Sequence, residues 1–256
     1  MTKKEVKALL LAKSAQFNHP DFIATDPIQI PHRFKKKEDI EISGFLTAVI
    51  AWGQRITIIN NATRLMDMMD NSPHDFILNH TEKDLIPFEN FVHRTFNGDD
   101  CLAFIAALKR FYRNLGGLET VMTRSFANDE IEPGSGWSNF KATFFEVPHL
   151  KRTEKHLPDP SKGSAAKRMN MYLRWMIRKD DQGVDFGIWD QMSPSQLYLP
   201  LDVHTARVAR KLNLLKRKQN DWKAVLELND QLKKFDPEDP VRFDFGLFGL
   251  GAFEKF

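Results

Sequence analysis

The sequence predicts an all-α fold, and three features of the chain indicate that class. Apolar residues recur three and four positions apart in most segments, which is the period of an amphipathic helix. Proline, glycine, aspartate and asparagine separate these segments at positions where helices begin and end. Alternation of apolar and polar residues, the usual mark of a strand, is scarce. About ten helices are therefore expected.

The predicted helices follow one another along the chain with short irregular connections. Pro20, Pro27 and Pro31 interrupt any regular element between Asn18 and Lys37. The acidic stretch from Ala127 to Gly136 contains glycine and proline and is expected to be an exposed loop. In chain order, the helices are predicted at Met1 to Phe17, Ile40 to about Trp52 (capped by Asp39), Ile56 to about Met69, a short segment from Ser72 and Pro73, about Cys101 to Leu115 (ended by Gly116-Gly117), Trp137 to Phe145, the segment after Gly163, the segment opened by Asp202, Trp222 to Lys234, and Val241 to about Leu250.

The composition excludes several classes of protein. With 256 residues, of which 42% are hydrophobic and 28% charged, the chain can bury a core as one large domain or two small lobes. The single cysteine, Cys101, excludes a disulfide framework, a cysteine-rich zinc site and a four-cysteine iron–sulfur cluster within the chain. No run of 18 apolar residues occurs, and Met1 to Phe17 resembles an amphipathic helix more than a signal peptide. A cytoplasmic protein without a membrane partner is expected.

The net charge of +3 is small, but the basic residues are concentrated in two segments. Lys151 to Lys179 holds nine Lys/Arg against two acidic residues, and Val203 to Asn220 holds six against none. A solvated helix face explains most charge runs, but two runs beside one pair of turns suit a polyanion better. Nucleic acid is therefore the leading partner class.

Leu157 to Arg210 is the segment around which the functional prediction is built. A turn rich in Pro and Gly opens a helix with Lys167 in its first turns, and a second Pro-bounded turn opens a helix with Asp202 at its start. Helix N-termini present unpaired N–H groups and the positive end of the helix dipole, so they hold phosphates and disfavour a cation. An isolated lysine is usually a surface residue, but Lys167 at this position, beside Arg168, is expected to have a lowered pKa and to be a usable nucleophile.

Asp202 has a purely structural interpretation and a chemical one. As an N-cap before Val203-His204-Thr205 it would stabilise the helix by about 1 kcal/mol without any function. An aspartate held by backbone N–H groups also stays ionised, which suits stabilisation of a sugar cation. His204 is assigned no role in the chemistry, no metal site is expected, and Asp236 to Asp239 is interpreted as a capped helix entrance.

The central segment resembles the helix-hairpin-helix DNA glycosylase superfamily. The resemblance lies in Leu157-Pro158, in Gly163 and Lys167, in the run Pro200-Leu201-Asp202-Val203-His204, and in Arg207. It is closest to the archaeal-type 8-oxoguanine glycosylases, whose lysine-to-aspartate interval is similarly long; here it is 35 residues. Nearly the whole chain also resembles an uncharacterised bacterial family placed in that superfamily, through Gly163 to Trp175 and Asp239 to Phe245. Ala165 stands where the superfamily hairpin usually has a second glycine.

The resemblance implies a helix-hairpin-helix glycosylase-like fold, with two helical lobes around a central cleft, and a function in base-excision repair. Lys167 would attack the sugar C1′ of a nucleotide that carries a damaged purine, with 8-oxoguanine as the expected lesion, and form a Schiff base, while Asp202 would stabilise the cationic sugar. No cofactor is implied. The expected partner is double-stranded DNA, bound by a monomer.

The residues expected to contact DNA lie in the two basic segments and at one helix corner. Lys167, Met171, Arg174 and Arg178 recur at four, three and four positions, so their cations form a stripe that could follow phosphates. Gln54 and Arg55 occupy a corner that resembles the wedge of endonuclease III-like helix pairs. The DNA-contacting set is Lys162, Gly163, Ser164, Arg168, Arg174, Arg178, His204, Arg207, Gln54 and Arg55; the candidates for stacking on the flipped base are Trp52, Phe245 and Phe248.

Two other functions stay open at this point. A non-catalytic helix-hairpin-helix protein that binds DNA or RNA would keep the fold without the chemistry of Lys167 and Asp202. A helical interaction protein would use the same basic segments to bind an acidic partner. Covalent trapping of Lys167 on damaged DNA separates the first interpretation from the other two.

Overall fold

The computed structural model describes residues 1–256 and contains twelve α-helices and no strand. An isolated bridge between His93 and Phe96 is the only β-type pairing. The prediction of an all-α fold is therefore confirmed. The helices are α1 (Lys3–Phe17), α2 (Lys37–Val49), α3 (Arg55–Asp67), α4 (Pro73–Asn79), α5 (Glu82–Glu89), α6 (Gly98–Arg110), α7 (Gly117–Ser125), α8 (Ser135–Phe144), α9 (Lys167–Ile177), α10 (Val203–Lys211), α11 (Trp222–Lys233) and α12 (Asp244–Ala252).

The chain forms two compact units. The terminal unit combines Met1–Thr25 with Pro160–Phe256, and the middle unit is Asp26–Asp159. Short 3₁₀ turns complete both units, among them Lys151–His156, Pro160–Lys162 and Pro240–Phe243. None of the helices combines the length and apolar character that a membrane crossing requires.

The middle unit is built around α2 and a core of phenylalanines. Every residue of α2 from Ile40 to Val49 is buried. Phe45 packs against the rings of Phe104, Phe140 and Phe144 at centroid separations of 6.1, 5.9 and 5.5 Å. Aromatic pairs in such stacked, tilted and edge-on arrangements add to the free energy gained by burial. The apolar run in this part of the sequence is thus a helix buried on all sides.

The start of α2 differs from the prediction. The helix begins at Lys37, so Asp39 lies within its first turn and is not the cap. The Asp39 carboxylate instead accepts a hydrogen bond of 2.8 Å from the backbone N–H of His74, near the start of α4. Lys36, which is the N-cap residue, makes no capping bond with its side chain. Asp39 therefore links the first turn of α2 to the first turn of α4 through this hydrogen bond.

Two helices of the middle unit were not predicted. In α5 an internal Pro87 obscures the helical period, although Thr81 and Asp84 form a capping box at its start. The helix α7 begins at Gly117, directly after its N-cap residue Gly116, and both glycines have a positive φ. The pair ends the preceding segment, as predicted, since α6 continues through a π-helical turn at Phe111–Leu115. The predicted exposed loop after Ala127 is present, with Asp129 buried inside it as acceptor for two backbone N–H groups.

In the terminal unit, α12 packs closely against α1 and α10. Glycines on α12 permit this approach, because a Cβ at Gly249 would lie 2.0 Å from the ring of Phe17. A Cβ at Gly251 would meet the backbone oxygen of His204 at 2.9 Å. The contact with α10 brings the last turn of α12 against the first turn of the helix that Asp202 opens.

Candidate active site

The turn before α9 forms an exposed hairpin. The backbone N–H of Gly163 donates to the Pro160 carbonyl (2.9 Å), and Gly163 has a φ of +86°. Ala166 also lies in the left-handed region, with a φ of +50°, whereas Ala165 does not. A non-glycine residue in that region costs roughly 1–2 kcal/mol. The departure from a two-glycine hairpin therefore strains the backbone at Ala166, immediately before Lys167.

Lys167 and Asp202 each stand at the start of a helix, as predicted. Lys167 is the first residue of α9 and is half-exposed. Asp202 is the N-cap of α10, and its Oδ1 accepts a 2.8 Å hydrogen bond from the backbone N–H of Thr205. The carboxylate is also half-exposed, so it is fixed on one side and open on the other. A positioned carboxylate and an accessible amine are the two groups that amine-based nucleophilic catalysis needs.

A second carboxylate, Asp244, lies in the electrostatic range of both groups. It is the first residue of α12 and is 5% exposed. Burial raises its pKa to about 6; Arg174 and Lys167 oppose the rise, and the carboxylates of Asp202 and Asp185 add to it. Sequence reasoning did not single Asp244 out, although it quoted the motif Asp239 to Phe245 that contains it. Nothing in that motif signals that Asp244 is buried.

Arg174 and Arg178 do not face a nucleic acid, and the predicted cationic stripe is wrong at these two positions. Each is 4% exposed. Arg174 pairs with Asp244 and, at 3.1 Å, with Asp185. Arg178 reaches Asp239 at 2.9 Å and also pairs with Asp180 and Asp185. These carboxylates come from segments beyond α9 and bury the stripe in an ion-pair network.

The same network removes one candidate for stacking on a base. The Arg174 guanidinium carbon lies 4.3 Å from the ring centroid of Phe245, which is 1% exposed. Phe245 is thus covered by a cation, and its predicted role in a base pocket is corrected. Phe248 is half-buried, with its ring edge-on to His204 and Phe22 at 6.2 and 6.3 Å.

The other predicted contacts of the terminal unit lie at or near the surface. Ser164 accepts from the Ala166 N–H at 3.3 Å, and Arg168 is half-exposed, with its pKa lowered by desolvation to about 10. Arg207 is exposed, although its guanidinium also donates to the Gly251 carbonyl at 2.6 Å. His204 is half-buried, and its Nδ1 is a buried atom without a hydrogen-bond partner.

Gln54 and Arg55 lie at the corner between α2 and α3 in the middle unit. Gln54 is exposed and precedes α3, Arg55 is its half-exposed first residue, and the neighbouring Ile56 is 62% exposed. Trp52 is half-buried, with its ring stacked on that of His156 at 5.8 Å. His93 meets the same ring edge-on at 5.1 Å. Trp52 is therefore engaged by two histidines of its own unit, and the predicted stacking of its ring on a base lacks support.

A comparison with known families gives one match. Residues 26–253 match the family described as "Protein of unknown function (DUF2400)". The chain belongs to this family. The DUF2400 match includes the hairpin, Lys167, Asp202 and Asp244, and the family's description names no activity. No curated protein and no solved structure matches the chain at a significant level.

No group of three or more His, Cys, Asp or Glu side chains is arranged to hold a metal ion. The groups with candidate chemistry at this site are the amine of Lys167 and the carboxylates of Asp202 and Asp244. Lys167 can supply an amine, Asp202 a carboxylate held by the start of α10, and Asp244 a buried carboxyl group whose pKa is raised by burial to about 6.

Proposed function

We propose that this DUF2400 protein is a DNA glycosylase with associated abasic-site lyase activity, acting on a damaged purine such as 8-oxoguanine. One observation carries the proposal: an accessible lysine begins α9, a capped carboxylate opens α10, and Asp244 is in the electrostatic range of both. The exposed hairpin before Lys167 supplies a place for a DNA phosphate, because the backbone at Gly163 can be approached without a side chain in the way.

In the proposed reaction, the damaged nucleotide is flipped out of the duplex at a cost of a few kcal/mol. The neutral amine of Lys167 attacks C1′, and the bond from C1′ to the base breaks as the base leaves. The carboxylate of Asp202 stabilises the positive charge that develops on the sugar. The new ammonium gives one proton to the departed base, and the nitrogen lone pair then breaks the C1′–O4′ bond while O4′ takes a proton from water. The product is an iminium, the Schiff base that precedes strand cleavage.

Borohydride trapping tests this proposal directly, because borohydride reduces the iminium to a stable protein–DNA adduct. Wild-type protein is incubated with duplexes that carry 8-oxoguanine or an abasic site. We expect an adduct on both duplexes and none with Lys167→Ala. Lys179→Ala is the matched control, since Lys179 is an exposed lysine just beyond the end of the same helix. It should be trapped as efficiently as the wild type.

Asp202→Asn separates the chemistry of the carboxylate from its capping role. Asparagine caps helices about as well as aspartate, so the variant should fold normally. Loss of the negative charge should slow base release by about 10²- to 10³-fold, the usual cost of removing one electrostatic stabiliser. Because an abasic duplex needs no base release, trapping on it should be less affected. An unchanged rate on the 8-oxoguanine duplex would contradict the role of Asp202.

The second candidate function is a non-catalytic nucleic-acid-binding protein, and the hairpin favours it. Gly163 and Lys162 are exposed and need neither Lys167 nor Asp202 to contact a phosphate. The strained Ala166 alters the geometry of the turn directly before the proposed nucleophile. Salt-dependent DNA binding without an adduct on either duplex would establish this alternative and refute the glycosylase proposal.

A further inference from the structure

The connection between α10 and α11 carries three successive basic residues, Lys216, Arg217 and Lys218, and side chains of both helices fix its backbone. Arg210 donates to the carbonyls of Arg217 and Lys218, each at 2.8 Å. Glu227 accepts hydrogen bonds from the backbone N–H groups of Lys216 (2.5 Å) and Arg217 (3.2 Å). The loop is therefore held in one conformation from both sides.

The charges of this loop divide into paired and unpaired groups. Arg217 forms two hydrogen bonds with Asp221, the N-cap of α11, so its charge is balanced. Lys216, Lys218 and Lys223 are exposed, and their ammonium groups make no hydrogen bond or ion pair in the structure. We call these three lysines, with their supporting residues, the basic loop. They line an open depression of about 540 Å³ that includes one carboxylate, Glu227.

The basic loop adjoins the hairpin. The backbone N–H of Trp222 donates to the Gly163 carbonyl at 3.2 Å, so the start of α11 touches the hairpin glycine. Lys223 is the next residue, and Lys162 precedes Gly163; both are exposed. The hairpin and the basic loop therefore form one continuous basic surface on the terminal unit.

The geometry favours a polymeric anion over a small one. A site for a free phosphate usually presents convergent backbone N–H groups or a bidentate arginine. Here Glu227 already occupies the N–H groups of Lys216 and Arg217, and Asp221 occupies the Arg217 guanidinium. What remains are separate ammonium groups around an open depression. Such point charges suit phosphates that are spaced along a chain.

We propose that the basic loop is a preformed binding surface for the phosphodiester backbone of nucleic acid, contacted through Lys216, Lys218 and Lys223, with Arg210, Arg217 and Glu227 as its structural supports. The proposal deepens the proposed function, on which it rests for the identity of the partner. It extends the phosphate contacts beyond the hairpin. In it the lysines contact the phosphates, whereas the arginines hold the backbone of the loop.

The test measures binding of a fluorescent, undamaged duplex of roughly 20 base pairs by anisotropy at several salt concentrations. The loop variant carries Lys216→Ala, Lys218→Ala and Lys223→Ala. The matched control carries Lys3→Ala, Lys4→Ala and Lys234→Ala, which are also exposed and without partners. Lys234 lies roughly 17 Å further along α11 than Lys223. Each triple variant lowers the net charge from +3 to 0 (+3 − 3 = 0).

We expect the slope of log K against log salt to fall by about 2 to 3 in the loop variant, because each phosphate contact contributes about 0.9. The control should keep the wild-type slope. Equal losses in both variants would mean that net charge alone attracts DNA, and no loss in the loop variant would mean that the lysines do not contact it. Either result overturns the proposal.

Competition identifies the ligand, and the design separates this inference from the glycosylase proposal. Unlabelled duplex should displace the probe at far lower concentration than inorganic phosphate or polyglutamate. Displacement by polyglutamate at an equal charge concentration would indicate an acidic protein partner and overturn the inference.

Borohydride is absent from the binding experiment, so its outcome does not depend on trapping at Lys167. Loop-dependent binding without trapping refutes only the glycosylase, and trapping with loop-independent binding refutes only this inference.

Discussion

Arg174 of α9 and Arg178, which directly follows that helix, are buried against carboxylates, whereas Lys216, Lys218 and Lys223 of the basic loop are exposed and have no ion-pair partner. The two arginines belong to the first basic run and Lys216 and Lys218 to the second, with Lys223 just beyond its end, and the sequence predicted phosphate contacts from both runs. The difference comes from four carboxylates around the two arginines, of which Asp239 lies 61 residues from Arg178 and Asp244 lies 70 residues from Arg174. A run of positive charge therefore predicts a binding surface only where no other segment supplies the balancing charge.

The buried network also contains more negative than positive groups. Arg174 and Arg178 contact four carboxylates: Asp180, Asp185, Asp239 and Asp244. Burial raises the pKa of Asp185, Asp239 and Asp244, although the arginines oppose the rise in each case. With two guanidinium groups for four acids, the arginines do not fully offset the cost of burying these three carboxyl groups. The basic loop has the opposite imbalance, with more positive than negative groups. Its lysines are exposed, so water screens their charges.

Removal of one buried arginine should have the largest effect on stability. Arg174→Ala leaves Asp185 and Asp244 buried without their main partner, and breaking a buried pair in this way costs about 3–5 kcal/mol. Urea unfolding followed by circular dichroism measures the loss. A cost below about 1 kcal/mol, the range of exposed pairs, would mean that water reaches the network and would remove the contrast with the basic loop.

Asp244 should make stability depend on pH. Its pKa is raised from 3.8 to about 6, so the native state binds a proton more tightly than the unfolded state does. The stability contributed by this group is therefore present at low pH and falls as the pH rises through about 6. Asp244→Asn should gain up to about 3 kcal/mol relative to the wild type between pH 4 and pH 7. Urea unfolding of both proteins across this range measures the gain.

The direction in which the stability of Asp244→Asn changes relative to the wild type, as the pH rises, tests whether burial or Arg174 dominates at this carboxyl group. If Asp244→Asn loses stability relative to the wild type as the pH rises, the carboxylate is stabilised by Arg174 more than burial destabilises it. Lys234→Ala offers a control whose difference from the wild type should not vary over the same pH range. The lysine is exposed and makes no polar contact in the structure.

Local signals in the sequence were sufficient for most helices and for the cap at Asp202, but not for the start of α2, where Asp39 is not the cap. Asp202 and Asp221 cap α10 and α11 through bonds to residues three positions later, which a sequence pattern can express. The helix α7 was missed because Gly116 and Gly117 indicate a helix end, and only the folded chain shows that another helix follows at once. Residues that end a helix thus mark its boundary without specifying which secondary structure follows.

The candidate site was predictable at Lys167 and Asp202 and unpredictable around them. Their positions at helix starts follow from local turns. The burial of Arg174 depends on Asp244, 70 residues away, and that of Arg178 on Asp239, 61 residues away. The same distant contact covers Phe245 with a guanidinium group. Periodicity placed these arginines on the correct helix face, but only tertiary packing determines what that face meets.

Release of the basic loop should have a smaller effect on stability but a clear local effect. Glu227→Ala removes the acceptor for two backbone N–H groups at the surface, at a cost of about 1 kcal/mol. Trypsin, which cleaves after lysine and arginine, should then cut after residues 216 to 218 faster than in the wild type. Glu238→Ala, at an exposed residue near the other end of α11, should leave the cleavage rate unchanged. Equal rates in all three proteins would show that Glu227 does not hold the loop.

Removal of the three loop lysines should have the smallest effect on stability. Lys216, Lys218 and Lys223 contact no carboxylate, so their replacement by alanine leaves no buried charge without a partner. The triple variant should unfold within about 0.5 kcal/mol of the wild type, as surface substitutions usually do. Urea unfolding measures this under the conditions used for Arg174→Ala. A stable triple variant that has lost duplex affinity would show that the loop lysines serve binding, whereas a loss of 2 kcal/mol or more would show that they also support the fold.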